Sequence, residues 1–183
     1  MRITDSRYDR DRLRLTLAHR LIGLEARTRT IREATQLSDD RIRRIYRDYF
    51  GANAANTVRR HRGKSPRQMS FFRRSLEHEQ QAATLGSLLL QCGLVRHYPH
   101  GFRPDIVVVS QFCDVYETFT SLNWPTLHVT FEHAWYLWQV LCRDDEHVLS
   151  NCPGCHALWV RDTLEILPDN CPTCRRGLFR DSV

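Results

Sequence analysis

Two close cysteine pairs, Cys152-Pro-Gly-Cys155 and Cys171-Pro-Thr-Cys174, stand 15 residues apart near one end of this chain. Thiolate pairs delivered by two tight turns can close a tetrahedron around one Zn2+, and Pro153, Gly154, Pro172 and Thr173 are residue types that bend a chain back toward the ion. Cys152, Cys155, Cys171 and Cys174 therefore predict one structural zinc per chain. A catalytic zinc keeps a coordination position open, which four cysteines would fill. A redox dithiol comes as a single Cys-x-x-Cys beside a strand-helix unit, and two matched pairs argue against it. An iron-sulfur cluster stays open as an alternative, because spacing alone does not separate it from zinc. His156 could supply a ligand but reads as the exposed neighbour of a complete four-sulfur set. Such a site would fold with its metal, and the apolar alternation in ALWVRDTLEIL suits a hairpin between the two knuckles.

The second constellation is basic. In TIREATQLSDDRIRRIYRDYF, Ile31, Leu37, Ile42 and Ile45 occupy the core positions of a helix-turn-helix unit, and Ser38 is placed to cap its second helix. On that helix Ile42, Ile45, Tyr46 and Tyr49 make one face, while Arg43, Arg44 and Arg47, with Asp40, make the other. A basic face of this kind can enter a groove of DNA. Three features fit less well: Gln36 stands where glycine is usual in the turn, and Arg32 and Thr35 stand where small and apolar residues are typical. An amphipathic surface helix explains the same pattern without DNA. The following RRHRGKSPR carries Arg59, Arg60, Arg62, Lys64 and Arg67, a cluster suited to phosphates rather than bases, or else to a solvated loop.

These groups need a scaffold. Leu13, Leu17, Leu21 and Leu24 recur at helical spacing from about residue 9, with Gly23 weakening the end of that helix. The glycines, asparagines and Pro66 after Phe50 mark a linker. A helix is expected from Met69 to Cys92, capped by Gly93. The segment from Asp105 to Leu122 reads as strand over IVVV alone, but the stripe Ile106, Val109, Cys113, Tyr116 and its length favour helix. A further helix is expected from near Pro125, with Leu127, Phe131, Trp135, Trp138 and Cys142 on one face. The two tryptophans read as packing, with a second subunit as an alternative partner. The fold class is mainly α: an N-terminal helix-turn-helix-like region (1–65), central helices that would bind a partner (66–143), and a zinc-ribbon-like module (144–183).

Composition narrows the function. Of 183 residues 42% are hydrophobic, and mean hydropathy is −0.49, too apolar for disorder and too polar for a membrane protein. The N-terminal MRITDSRYDRDRLRL alternates charges where an export signal needs an apolar run of about 7–15 residues, so a cytoplasmic location is expected. Seven cysteines, an odd number, make a disulfide framework the poorer reading, and the isolated Cys92, Cys113 and Cys142 read as small core side chains. Residues 1–76 hold 20 Lys+Arg against 8 Asp+Glu, whereas residues 77–183 hold 7 against 13. That asymmetry points the first part at a polyanion and the second at protein. No HExxH occurs, and His128 and His133 do not align on one helical face, so no catalytic residue is assigned and no enzyme is expected. A zinc-ribbon RNA-binding protein is the alternative, disfavoured by the placing of Tyr46 and Tyr49 on the apolar face.

EATQLSDDRIRRIYRDYFG, SPRQMSFF, AWYLWQVL and the two cysteine pairs, in that order, resemble the flagellar transcriptional activator subunit family FlhC. The resemblance implies a mainly helical protein with a four-cysteine zinc site at Cys152, Cys155, Cys171 and Cys174. It further implies assembly with a partner subunit, FlhD, into a hetero-oligomer that binds promoter DNA upstream of flagellar genes and recruits RNA polymerase. Nine residues follow Cys174, where members of that family carry a longer basic tail, so no contact through such a tail is expected.

Overall fold

The computed structural model describes residues 3–51, 58–61, 63–143, 147–164, 166 and 170–177. The chain is mainly helical and divides into two units, residues 1–65 with 103–113 and residues 66–102 with 114–183.

In the first unit, α1 (Ile3–Gly23), α2 (Thr28–Thr35) and α3 (Asp39–Phe50) pack on one another. Leu17, Leu21 and Ile22 of α1 are buried with Ile31, Leu37, Ile42 and Ile45. Leu13, expected in the same stripe, is 53% exposed, so the buried face starts one turn later. The left-handed residue that ends α1 is Glu25 (φ 62°) rather than Gly23, with Glu25 N–H donating to Ile22 O and Ala26 N–H to Leu21 O.

A three-residue turn joins α2 to α3. Gln36 takes the left-handed conformation there (φ 59°), Leu37 is buried, and the Ser38 hydroxyl caps α3 by accepting from Arg41 N–H at 3.4 Å. Thr35 is fully buried without an orphaned hydroxyl, because it donates to Ile31 O at 2.7 Å and accepts from Leu37 N–H at 3.3 Å. Arg32 points outward and pairs with Asp39. Tyr49 departs from the expected apolar face: it is 61% exposed and meets the edge of the His19 ring, 5.3 Å between centroids.

In the second unit, a short 3-10 helix (Met69–Arg73) precedes α4 (Leu76–Gln91), so the expected single helix is broken before Ser75, which caps α4. Gly93 (φ 67°) ends α4 as expected: Leu94 N–H donates to Leu89 O and Gly93 N–H to Leu90 O. Cys92, expected in the core, is exposed because it sits on this cap, whereas Cys113 and Cys142 are buried. The Leu94 carbonyl that the cap presents accepts from Trp138 Nε1 at 2.9 Å and from Cys142 Sγ at 3.4 Å.

The ambiguous IVVV segment is helix, α5 (Ile106–Leu122), started by the Asp105 carboxylate accepting from Val107 and Val108 N–H. The next helix, α6, runs Phe131–Arg143 and does not begin near Pro125. The reason is Gln81 of α4: its side-chain amide donates to Thr126 O at 2.6 Å and accepts from His128 and Val129 N–H at 3.0 and 3.2 Å. Backbone groups committed to Gln81 are not available to a helix. Trp135 and Trp138 are buried within this unit, packed edge to face on each other and on Phe102, which leaves neither for a second subunit. Replacing the buried Gln81 by leucine is expected to cost about 2–4 kcal/mol, since the interior Val129 N–H is left without an acceptor. Denaturant unfolding of the variant at an unchanged m-value checks this.

Two antiparallel strands follow, β1 (His147–Asn151) and β2 (Leu158–Asp162), paired from His147 with Asp162 to Asn151 with Leu158. A single turn of helix, α7 (Pro172–Arg175), completes the unit. Among the described residues no helix is long and apolar enough to cross a membrane.

Candidate functional site

The first cysteine pair lies in the loop between β1 and β2. Cys152 N–H donates to Ala157 O and His156 N–H to Cys152 O, closing the turn with His156 in the left-handed region (φ 59°). The hairpin therefore encloses the first knuckle, whereas the alternation in ALWVRDTLEIL predicts one lying between the two. The first residues of that stretch pair with the segment before Cys152, where the sequence pattern is less marked. The second knuckle is the start of α7: Cys171 is its N-cap, Pro172 its first residue, and Cys174 N–H donates to Cys171 Sγ at 3.5 Å.

These turns bring the sulfurs of Cys152, Cys155, Cys171 and Cys174 within 4.8 Å of one another, with Cys155 and Cys171 3.6 Å apart, and all four are free thiols. Bonds of about 2.3 Å to a tetrahedral ion put thiolate sulfurs about 3.8 Å apart, so the four can hold one metal ion. A cluster with several irons and its own sulfides would need them spread farther. Exposed His156 is not one of the set.

The site is held against α4. Cys152, Trp159 and Cys171 are buried together with Ala83 of α4 packed on them. Arg73 reaches Asp162 at 2.7 Å, and Arg176 reaches Glu79 at 3.7 Å. Gly86 admits β1: a Cβ there would lie 2.7 Å from Leu149 Cδ2.

Without a metal the thiols polarise one another. Burial works to raise the Cys152 thiol, but the N–H groups of Cys171, Cys155 and Gly154 outweigh it and hold it down at about 6. Hydrogen bonding with the Cys155 thiol, then burial, pushes Cys174 up to about 12, and burial raises Cys171. One thiolate is thus favoured among thiols that resist further ionisation, the electrostatic setting that a cation relieves.

The basic residues fall into three groups. Arg43, Arg44 and Arg47 are exposed on α3, opposite Ile42 and Ile45. Arg43 pairs with Asp40 at 2.8 Å and Arg47 with Asp48 at 3.5 Å, both on the surface, where such pairs bind weakly; Arg44 has no partner among the described residues. Arg59, Arg60 and Lys64 are exposed in the same unit, whereas exposed Arg67 belongs to the second unit. Arg62 lies outside the described residues. Two contacts that hold Arg60 and His61 have no counterpart in the sequence reading: Arg60 lies over the Tyr46 ring at 5.5 Å, and His61 Nε2 meets Glu25 Oε2 at 2.8 Å. No sequence signal links positions 36 apart in this way.

No known protein-family model matches the chain, and comparison with curated proteins finds no match.

Proposed function

We propose that this chain is a DNA-binding subunit of a transcriptional activator, in which Cys152, Cys155, Cys171 and Cys174 hold one structural Zn2+ and α3 presents Arg43, Arg44 and Arg47 to duplex DNA. The observation that carries the DNA reading is the division of α3. Ile42 and Ile45 are buried while the three arginines face solvent, after a three-residue turn with Gln36 left-handed and Ser38 capping. A helix presented this way fits the second helix of a helix-turn-helix unit, with its arginine face open to a major groove. Zinc is favoured over iron because four thiolates spaced for one ion fill its shell and call for no redox chemistry. The FlhC resemblance extends the reading: with an FlhD-type partner the chain binds upstream of flagellar promoters, recruits RNA polymerase in the cytoplasm, and catalyses nothing itself.

The exposed Tyr49 gives the RNA-binding alternative a specific observation in its favour, since a base can stack on an exposed ring beside arginines. Competition between a labelled DNA duplex and single-stranded RNA of equal charge separates the two. The duplex is expected to win by at least about tenfold; preference for RNA overturns the DNA reading. Co-expression with an FlhD protein tests the extension, which falls if no stoichiometric complex forms.

A further inference from the structure

We propose that residues 58–61, held on α3, form with Arg43 a seat for a phosphodiester of the nucleic-acid backbone. This rests on the nucleic-acid reading above and adds to it a site with its own positioning residues.

The segment is pinned by hydrogen bonds and a ring contact from α3 and from the residues that follow α1. The Tyr46 hydroxyl donates to Val58 O, and the Tyr46 ring lies under the Arg60 guanidinium at 5.5 Å. His61 Nε2 meets Glu25 Oε2 at 2.8 Å, and Arg27 Nη1 donates to Gly63 O at 2.6 Å. Glu25 holds its place in a left-handed conformation that glycine would adopt more cheaply, and its carboxylate is the anchor for His61. The RRHRGKSPR stretch is therefore not a free solvated loop at these positions.

The outcome is a small crease of about 20 Å3 whose lining includes Arg27, Arg43, Tyr46, Arg59, Arg60 and His61 beside apolar side chains of the unit's core. Room for little more than one water-sized atom means that a phosphate group cannot enter. It can rest on the mouth with a single oxygen directed inward. Four arginines border the crease, with two carboxylates nearby, Glu25 engaged by His61 and Asp40 paired with Arg43. Stacking on Tyr46 occupies the face of the Arg60 guanidinium and leaves its in-plane N–H groups for an anion. Arg59 is exposed and has no partner among the described residues. Arg59 and Arg60 make the contact; Tyr46 is a positioning residue that acts through them.

The test measures anisotropy of a labelled random-sequence DNA duplex and of a single-stranded RNA across about 50–200 mM KCl, using the full chain. Substituting Arg59→Ala with Arg60→Ala is expected to lower the salt slope by about 1 to 2, roughly 0.9 for each phosphate that is no longer neutralised. Tyr46→Phe keeps every charge and the stacked ring but frees Val58, and should weaken binding about threefold to tenfold. That weakening should disappear when Tyr46→Phe is made on the Arg59→Ala, Arg60→Ala background, a coupling that a purely structural role of Tyr46 would not produce. A duplex bound with a slope indifferent to Arg59 and Arg60, or an additive Tyr46→Phe effect, overturns the seat while leaving the DNA reading standing. RNA bound with the same Arg59 and Arg60 dependence, and no duplex binding, keeps the seat and removes the DNA reading. Binding of neither polymer removes both.

Discussion

Cys171→Ser is expected to abolish metal retention and to unfold the segment from β1 to α7. The physical ground is that candidate metal ligands make up most of that segment's own buried cluster, while its hold on α4 is packing and two ion pairs. Its buried cluster consists of Cys152, Trp159 and Cys171, two of them candidate metal ligands. A two-stranded hairpin is marginal in water on its own, and α7 has four residues, too few to form a helix without an external hold. Cys171 also caps α7 and donates its backbone N–H to Cys152 Sγ at 3.2 Å; serine keeps that N–H and can cap the helix, so the variant removes the metal-binding sulfur and little else. Metal-coupled folding of such sites is worth roughly 10–16 kcal/mol at neutral pH, more than surrounding contacts can replace. Elemental analysis should find one zinc per wild-type chain and none in the variant. Trp159, buried here, should become accessible to a fluorescence quencher in the variant and in chelator-treated wild type. One zinc retained by the variant, with Trp159 still protected, would sink the assignment; one iron in place of zinc would keep the site and change its ion.

The same site makes metal affinity strongly pH-dependent. The metal-free thiols of Cys171 and Cys174 lie above the ordinary thiol range and are protonated at neutral pH, whereas Cys152, at about 6, is already a thiolate. Binding needs thiolates, so it displaces at least the two protons of Cys171 and Cys174, and affinity rises as pH rises. Between about pH 7 and 8 the gain is at least about hundredfold, two protons at tenfold each. Below about 6 the Cys152 proton must also leave, and the dependence steepens. Competition with a chelator of known affinity across this range measures it.

Much of this is legible in local sequence, and what is not depends on distant partners. Cysteine spacing marks the four sulfurs because two turns of the right residue types act within a few positions. Gly93 announces its cap because a left-handed residue after an apolar stripe has few other uses. The stripe from Ile106 to Tyr116 outweighs IVVV because three turns of periodicity carry more information than a run of β-branched residues. The start of α6 escapes a local reading because Gln81 decides it, and Gln81 lies 45 residues before Thr126. Thr35 looks out of place in a buried position because composition does not reveal that its hydroxyl is satisfied by Ile31 and Leu37. Tyr49 falls on the apolar side by spacing and on the exposed side in the fold, because helical spacing gives a face and not the reach of the neighbouring helix. The hold of Tyr46 and Glu25 on residues 58–61 has no local signature at all.

Replacing Arg43, Arg44 and Arg47 together by alanine is expected to lower duplex affinity about a hundredfold at about 0.15 M salt. Three phosphates left without their arginines, at roughly 0.9 each in the salt slope, correspond to about two powers of ten at that ionic strength, and the slope itself should fall by about 2.7. A larger effect at one DNA sequence, and not at others, would mean that one of the three also reads a base edge, worth about 1–3 kcal/mol. The fold should be unaffected. All three side chains are exposed, the ion pairs they make with Asp40 and Asp48 lie on the surface, and alanine favours helix at each position. Thermal unfolding within a degree or two of wild type would therefore accompany the weakened binding. Substituting Arg41→Ala is the internal control: exposed on the same helix but directed toward Asp11 at 4.0 Å, it should change affinity less than the single substitution Arg44→Ala, which is expected to cost about fivefold. Equal effects from Arg41→Ala and from Arg44→Ala, each the loss of one charge, would mean that binding follows net charge, and the α3 face would forfeit its claim as the surface that meets DNA.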